Sequence, residues 1–71
     1  MYKVLIADDE RLIRITLKNM IDWKALDCEV IATAKDGEEA FHIFTDIQPE
    51  IVITDLKMPG MDGIDLISKI K

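Results

Sequence analysis

Hydrophobic residues follow two alternating patterns along the chain. Residues 2–7 (YKVLIA), 28–34 (CEVIATA) and 51–53 (IVI) are short, largely apolar runs. Such runs are typical of strands that are buried on both faces of a parallel sheet. After each run, apolar residues recur every three or four positions, which indicates a helix with one buried face. The pattern therefore predicts three strands that alternate with three helices.

The first predicted helix covers residues 10–21, and we expect Asp9 to cap its N-terminus. The apolar residues Leu12 and Ile15 of this helix lie outside the face that we expect to pack on the core. We expect them to face a further helix or a partner protein. The residues of the predicted core face are Ile13, Leu17, Met20 and Ile21.

The other two helices have clear start signals. Asp36 precedes Glu39 by three positions, which predicts a capping box at the start of the second helix. Gln48 and Pro49 should end that helix, because the residue before a proline disfavours helical backbone angles. Asp62 is expected to cap the third helix.

The βαβαβα order predicts an α/β fold with a parallel sheet and right-handed crossovers. If the second and third strands flank the first, the strand order is 2-1-3 and the chain reverses direction between strands one and three. Ligands of such sheets bind at this reversal, beyond the carboxyl ends of the strands. Asp8, Asp9 and Asp55 follow strands one and three, so we expect their carboxylates to meet there.

Composition limits what this chain can be. Its 71 residues are 49% hydrophobic, which fits one small globular domain. Cys28 is the only cysteine, so no internal disulfide can form. The net charge of −5 argues against direct binding of nucleic acid. No apolar run resembles a signal peptide or reaches membrane-spanning length, and we expect a cytoplasmic protein without membrane contact.

The three carboxylates predict metal-dependent chemistry. Two unit charges about 4 Å apart repel each other by roughly 4 kcal/mol at an effective dielectric of about 20, so we expect a cation between them. Oxygen ligands without His or Cys favour Mg²⁺. A carboxylate beside Mg²⁺ can attack a phosphoryl group to form an acyl phosphate, which makes Asp55 the candidate nucleophile. Nucleotide-binding glycine motifs are absent from the sequence, and Lys57 breaks the calcium-loop pattern.

VLIADDE, the strand-end Asp55 and KMPGMDG, taken together, resemble the receiver domain of bacterial two-component response regulators. The resemblance covers residues 1–71 and implies a flavodoxin-like three-layer sandwich with a parallel sheet. It implies that Asp55 is the phosphoacceptor and that Asp9 and Asp55 bind Mg²⁺ directly. Asp8 would hold the ion through water, and the backbone carbonyl of Lys57 would complete the protein ligands.

The same resemblance implies a function in signal transduction. The phosphoryl donor would be a sensor histidine kinase or a small acyl phosphate. The domain would catalyse transfer onto its own aspartate, so it would not be an enzyme that turns over a free substrate. An output domain outside this chain would control transcription.

The chain departs from the receiver pattern in its extent. A complete receiver has five strand-helix units, and residues 1–71 match the first three, so we interpret the chain as a truncated receiver domain. The hydroxyl residue and the lysine that receivers carry at the ends of strands four and five have no counterpart. Strand three becomes a sheet edge, which predicts self-association. An alternative function is therefore a half-domain that assembles as a dimer or swapped oligomer without phosphotransfer. A magnesium-dependent phosphohydrolase is a weaker third reading.

Overall fold

Strands and helices alternate along the chain as the hydrophobic pattern predicts. The computed structural model describes all residues 1–71. No helix combines the length and the apolar character that crossing a bilayer requires. The strands are β1 (Tyr2–Ala7), β2 (Cys28–Ala34) and β3 (Ile51–Thr54), and the helices are α1 (Arg11–Met20), α2 (Gly37–Ile47) and α3 (Gly63–Ile70), with a short 3-10 helix at Lys24–Leu26.

The three strands form one parallel sheet with the order β2-β1-β3. This confirms the predicted order 2-1-3. Ala7, the last residue of β1, pairs with Ala34 on β2 and with Thr54 on β3. Because these pairs are the last in each ladder, the carboxyl ends of all three strands lie level at one edge of the sheet.

The sheet is the middle of three layers. Val4 and Ile6 of β1 point to one face and pack with Leu17 and Trp23, which belong to α1 and the connection after it. Leu5 points to the other face, where α2 and α3 cover it. On that face the core contains Leu5, Ala7, Ala34, Ala40, Met58 and Leu66. Residues 4–7 of the central strand are therefore buried on both faces, which explains the unbroken apolar run at these positions.

The N-termini of α2 and α3 are capped by the predicted aspartates. Asp36 Oδ1 accepts a hydrogen bond from the Glu39 amide at 2.8 Å, and Asp62 Oδ1 accepts one from the Asp65 amide at 2.9 Å. The Glu39 side chain bonds the amide of Lys35 at 3.1 Å, one residue before the position that a standard capping box uses. Gln48 ends α2 in a left-handed conformation.

The prediction for the start of α1 was wrong in one respect. The residue at the N-cap position is Glu10, not Asp9, and Glu10 makes no side-chain capping bond. Asp8 Oδ1 instead accepts the Glu10 amide at 2.9 Å. Glu10 lies two residues after Asp8, so the turn after β1 brings its amide within reach of the Asp8 carboxylate.

The prediction for the core face of α1 was partly wrong. Ile13 is 38% exposed and Met20 is 78% exposed, although their spacing placed both on the buried face. Leu17 packs on the sheet, and Ile21 is partly buried. Met20 is the last residue of α1, so it lies beyond the part of the helix that packs on the sheet through Leu17. Leu12 and Ile15 are exposed, as predicted, with 77% and 43% of their surface accessible.

Candidate functional site

The parallel register brings three acidic residues to one edge of the sheet. The amide of Asp55 donates to the carbonyl of Ala7 at 3.0 Å, and the amide of Asp8 donates to the carbonyl of Ala34 at 3.0 Å. One carboxylate oxygen from each of Asp8, Asp9 and Asp55 lies within 4.8 Å of the other two. The sheet therefore gathers these acids at the predicted edge, while their roles as ligands and nucleophile stay predictions.

The three acids differ in exposure. Asp8 is 7% exposed, and its carboxylate accepts the Glu10 amide. Asp9 and Asp55 are exposed. Asp55 is therefore accessible from solvent, whereas Asp8 is almost fully enclosed by protein.

The loop after β3 folds around Asp55. The Lys57 amide donates to Asp55 Oδ1 at 3.4 Å, and the Thr54 hydroxyl donates to the backbone carbonyl of Asp55 at 3.0 Å. Met58 is buried in the core and anchors the loop. Thr54 thus makes no bond to the Asp55 carboxylate, in agreement with strand alternation. The backbone carbonyl of Lys57 as a metal ligand stays a prediction.

Two glycines that sequence reasoning did not assign to the site support this loop. A Cβ at Gly63 would overlap the carbonyl oxygen of Asp55. A Cβ at Gly37 would overlap the carbonyl oxygen of Met61. Both glycines follow a capping aspartate, at the first position of a helix. Since glycine is a poor helix former, the repeated Asp-Gly pair was a signal for close backbone packing at these positions.

No basic side chain forms an ion pair with the three acids. The one salt bridge in the structure joins the Met1 ammonium to Asp27, with 3.9 Å between nitrogen and oxygen. Arg14 reaches the site, but its Nη1 donates to the backbone carbonyl of Asp8 at 2.7 Å and not to a carboxylate. No cationic side chain of this chain therefore neutralises the three carboxylates. Their all-oxygen donor set fits Mg²⁺.

Comparison with known proteins decides the family. A model of the response regulator receiver domain matches residues 4–71. The chain belongs to the response regulator receiver family. Receivers are signalling domains and, in general, not enzymes acting on free substrates, and their fold is the flavodoxin-like one. The matched range begins in β1 and contains all three acids.

Related proteins and solved structures agree with this assignment. The receiver chain is 50% identical over 70 residues to the uncharacterized transcriptional regulatory protein YesN of Bacillus subtilis and to the transcriptional regulatory protein HptR of Staphylococcus aureus. It superimposes with a TM-score of 0.92 and 44% identity on the REC domain of AraT, a response regulator from Geobacillus stearothermophilus. It also matches a chain in the CheX-CheY-BeF3-Mg²⁺ complex from Borrelia burgdorferi, with a TM-score of 0.85 and 35% identity.

The receiver chain spans only part of these proteins. The match covers 99% of this chain but 19% of YesN and 28% of HptR. It covers 96% of this chain and 53% of the AraT chain, and 97% of this chain and 52% of the chain from Borrelia. Residues 1–71 thus correspond to about half of the receiver chains with known structures.

Proposed function

We propose that Asp55 accepts a phosphoryl group in a magnesium-dependent reaction and that residues 1–71 are the N-terminal part of a receiver in a two-component system. The observation that carries this proposal is the meeting of three carboxylate oxygens within 4.8 Å at the carboxyl edge of the sheet. Family membership supports it, because the matched range includes both strand ends that supply these acids.

The chain's own residues would carry the transfer. A carboxylate oxygen of Asp55 attacks the phosphorus of a phosphohistidine or a small acyl phosphate, and a P–O bond forms as the bond to the donor breaks. The bonding electrons leave with the donor's imidazole nitrogen or carboxylate. The Lys57 amide, at 3.4 Å from Asp55 Oδ1, holds the carboxylate during the approach. Catalysis would be by the receiver itself, without turnover of a free substrate.

The acidic site fits Mg²⁺ by its donor chemistry. We assign Asp9, Asp55 and the backbone carbonyl of Lys57 as direct ligands and Asp8 as a ligand through water. The bound ion would supply neutralisation of the charge on the transferred phosphoryl oxygens. A Mg²⁺ ion is named in the similar complex from Borrelia, which supports the choice of metal.

The partner that the proposal requires is a sensor histidine kinase. The relatives YesN and HptR are named as transcriptional regulatory proteins. We propose that phosphorylation of Asp55 biases an equilibrium between two conformations, and that an output region of a longer protein controls transcription in response. A cytoplasmic site of action is part of this proposal.

Self-association of the isolated chain is a separate proposal. β3 pairs with β1 on one side only, and all four of its residues are partly exposed. Its free edge can pair with β3 of a second copy. The alternative function, assembly without phosphotransfer, has no support from the relatives, which are regulators. Light scattering at micromolar concentration should show dimers or larger species, and a monomer at all concentrations would contradict self-association.

The phosphoacceptor proposal can be tested by mass spectrometry after incubation with acetyl phosphate and Mg²⁺. One phosphoadduct is expected on the parent chain, and Asp55→Asn should abolish it. Asp46→Asn, which changes an exposed acid in the last turn of α2, should leave it intact. Absence of the adduct from the parent, or its persistence in Asp55→Asn, would refute the assignment. Steady phosphate release from unrelated esters would instead indicate a hydrolase.

A further inference from the structure

Arg14 is the one basic residue whose side chain bonds a member of the acidic cluster. Its Nη1 donates to the backbone carbonyl oxygen of Asp8 at 2.7 Å, in a partly buried contact. This bond joins α1 to the end of β1. The accepting atom is a backbone oxygen, and the guanidinium forms no ion pair with the three carboxylates.

The accepting carbonyl belongs to the peptide group between Asp8 and Asp9. A peptide group is planar, and rotation about its C–N bond is prevented. Anchoring the carbonyl oxygen therefore fixes the direction in which the chain leaves toward Asp9. A single bond from Arg14 thus restrains both of the acids that follow β1.

This bond completes a closed set of hydrogen bonds around the turn. Asp8 Oδ1 accepts from the Glu10 amide at 2.9 Å. The Glu10 carbonyl accepts from the Arg14 amide at 3.1 Å. The Arg14 side chain then returns to the Asp8 carbonyl. Loss of the last bond would leave the Asp8–Asp9 peptide group without a hydrogen bond of its own, while Asp8 stays held by the bond from its amide to Ala34 and by the bond from the Glu10 amide to its carboxylate.

We propose that Arg14 is a positioning residue for the acidic site, which sets the geometry of Asp8 and Asp9 by holding the peptide group between them. The consequence for metal binding rests on the Mg²⁺ site proposed above. The restraint on the peptide itself is measurable without metal, so the two proposals can fail separately.

The positive charge of Arg14 and its hydrogen bond to the Asp8 carbonyl should affect Mg²⁺ affinity in opposite directions, so the two effects can be separated. A positive charge near the site repels Mg²⁺, so removing the charge alone should tighten Mg²⁺ binding. Removing a restraint on the ligands should weaken it. Arg11 is the matched control, because it lines the same groove on α1 as Arg14. The side chain of Arg11 makes no hydrogen bond within the protein.

Mg²⁺ affinity of the 71-residue chain, measured by isothermal titration calorimetry, separates the two effects. Arg14→Gln should weaken binding about tenfold, as is typical when a residue supporting metal ligands is removed. Arg11→Gln should bind equally well or more tightly. Equal affinities of Arg14→Gln and the parent, or equal shifts in both variants, would overturn the proposal. Arg14→Lys keeps the charge and a donor, so its affinity should lie between those of the parent and Arg14→Gln.

Amide hydrogen exchange in metal-free protein tests the restraint directly. Exchange at the Glu10 amide should be faster in Arg14→Gln than in Arg11→Gln, while exchange at Ile6 in the core strand changes little. If the Glu10 and Ile6 amides accelerate equally, the bond contributes only to global stability and the proposal is wrong. If the parent binds no Mg²⁺, the metal site fails, and exchange at Glu10 still decides whether Arg14 positions the turn.

Discussion

The backbone carbonyl of Asp55 lies directly against Gly63, the first residue of α3. No side chain fits between them, since a Cβ at Gly63 would overlap this oxygen and would lie 3.0 Å from the Cα of Leu56. The amide of Gly63 in turn donates to the Leu56 carbonyl at 3.1 Å. The start of α3 thus sets the position of the candidate phosphoacceptor.

Gly63→Ala is expected to disturb both stability and the site. Alanine favours a helix over glycine by about 1 kcal/mol, but here the added methyl must displace backbone. We expect a net loss of about 1–3 kcal/mol in the free energy of unfolding, as for other overpacked positions, and weaker Mg²⁺ binding. Urea denaturation and calorimetry measure these effects. Ser68→Ala, at an exposed position of α3, should change neither, and an unaffected Gly63→Ala would contradict the close contact.

Asp8→Asn should have opposite effects in the absence and presence of Mg²⁺. Asparagine keeps the oxygen that accepts the Glu10 amide but removes one of three clustered charges. Metal-free stability should therefore rise by about 1 kcal/mol. Mg²⁺ at about 100 times its dissociation constant should stabilise the parent by about 2.7 kcal/mol, and the variant much less. Thermal denaturation with and without Mg²⁺ measures both.

Asp46→Asn is the control for this experiment, because Asp46 lies in the last turn of α2 and outside the acidic cluster. Its Mg²⁺ response should equal that of the parent. A response of Asp8→Asn that matched the parent in both conditions would show that Asp8 does not contribute to a metal site.

Removing the cap of α2 should cost stability through a single hydrogen bond. The Asp36 carboxylate accepts the Glu39 amide at 2.8 Å, and Asp36→Ala should lower the free energy of unfolding by about 1 kcal/mol. Asp46→Ala removes a negative charge near the opposite helix end, where it is unfavourable to the helix dipole, so its effect should be neutral or slightly stabilising. Equal losses in the two variants, measured by urea denaturation, would argue against the cap.

The sequence was sufficient to predict the sheet and the meeting of the acids. Parallel pairing follows from the alternation of strands and helices, and it forces the ends of β1 and β3 to the same edge. Asp8, Asp9 and Asp55 therefore converge without any knowledge of their side-chain contacts. The caps at Asp36 and Asp62 were predictable because a cap depends on residues three positions apart.

Contacts that leave no pattern of residue spacing in the sequence were not predictable in the same way. The bond from Arg14 to the Asp8 carbonyl joins a side chain to the backbone, and no periodic pattern reports such a bond. Gly63 contacts Asp55 across a loop whose path the sequence does not specify. Asp9 was expected to cap α1 because it precedes the predicted helix. In the structure Glu10 occupies the N-cap position, and the Glu10 amide bonds the carboxylate of Asp8.

The small core makes the chain sensitive to a single cavity. Leu5 is fully buried in the central strand, and Leu12 on α1 is 77% exposed. Leu5→Ala should cost about 2–5 kcal/mol, whereas chains of this size obtain roughly 3–5 kcal/mol from a single core. We therefore expect Leu5→Ala to be largely unfolded at 25 °C by circular dichroism. Leu12→Ala removes the same atoms from a solvent-exposed position and should stay within about 0.5 kcal/mol of the parent. A folded Leu5→Ala variant would mean that contacts beyond this core, such as pairing between copies through β3, supply much of the stability, and its unfolding midpoint would then depend on protein concentration.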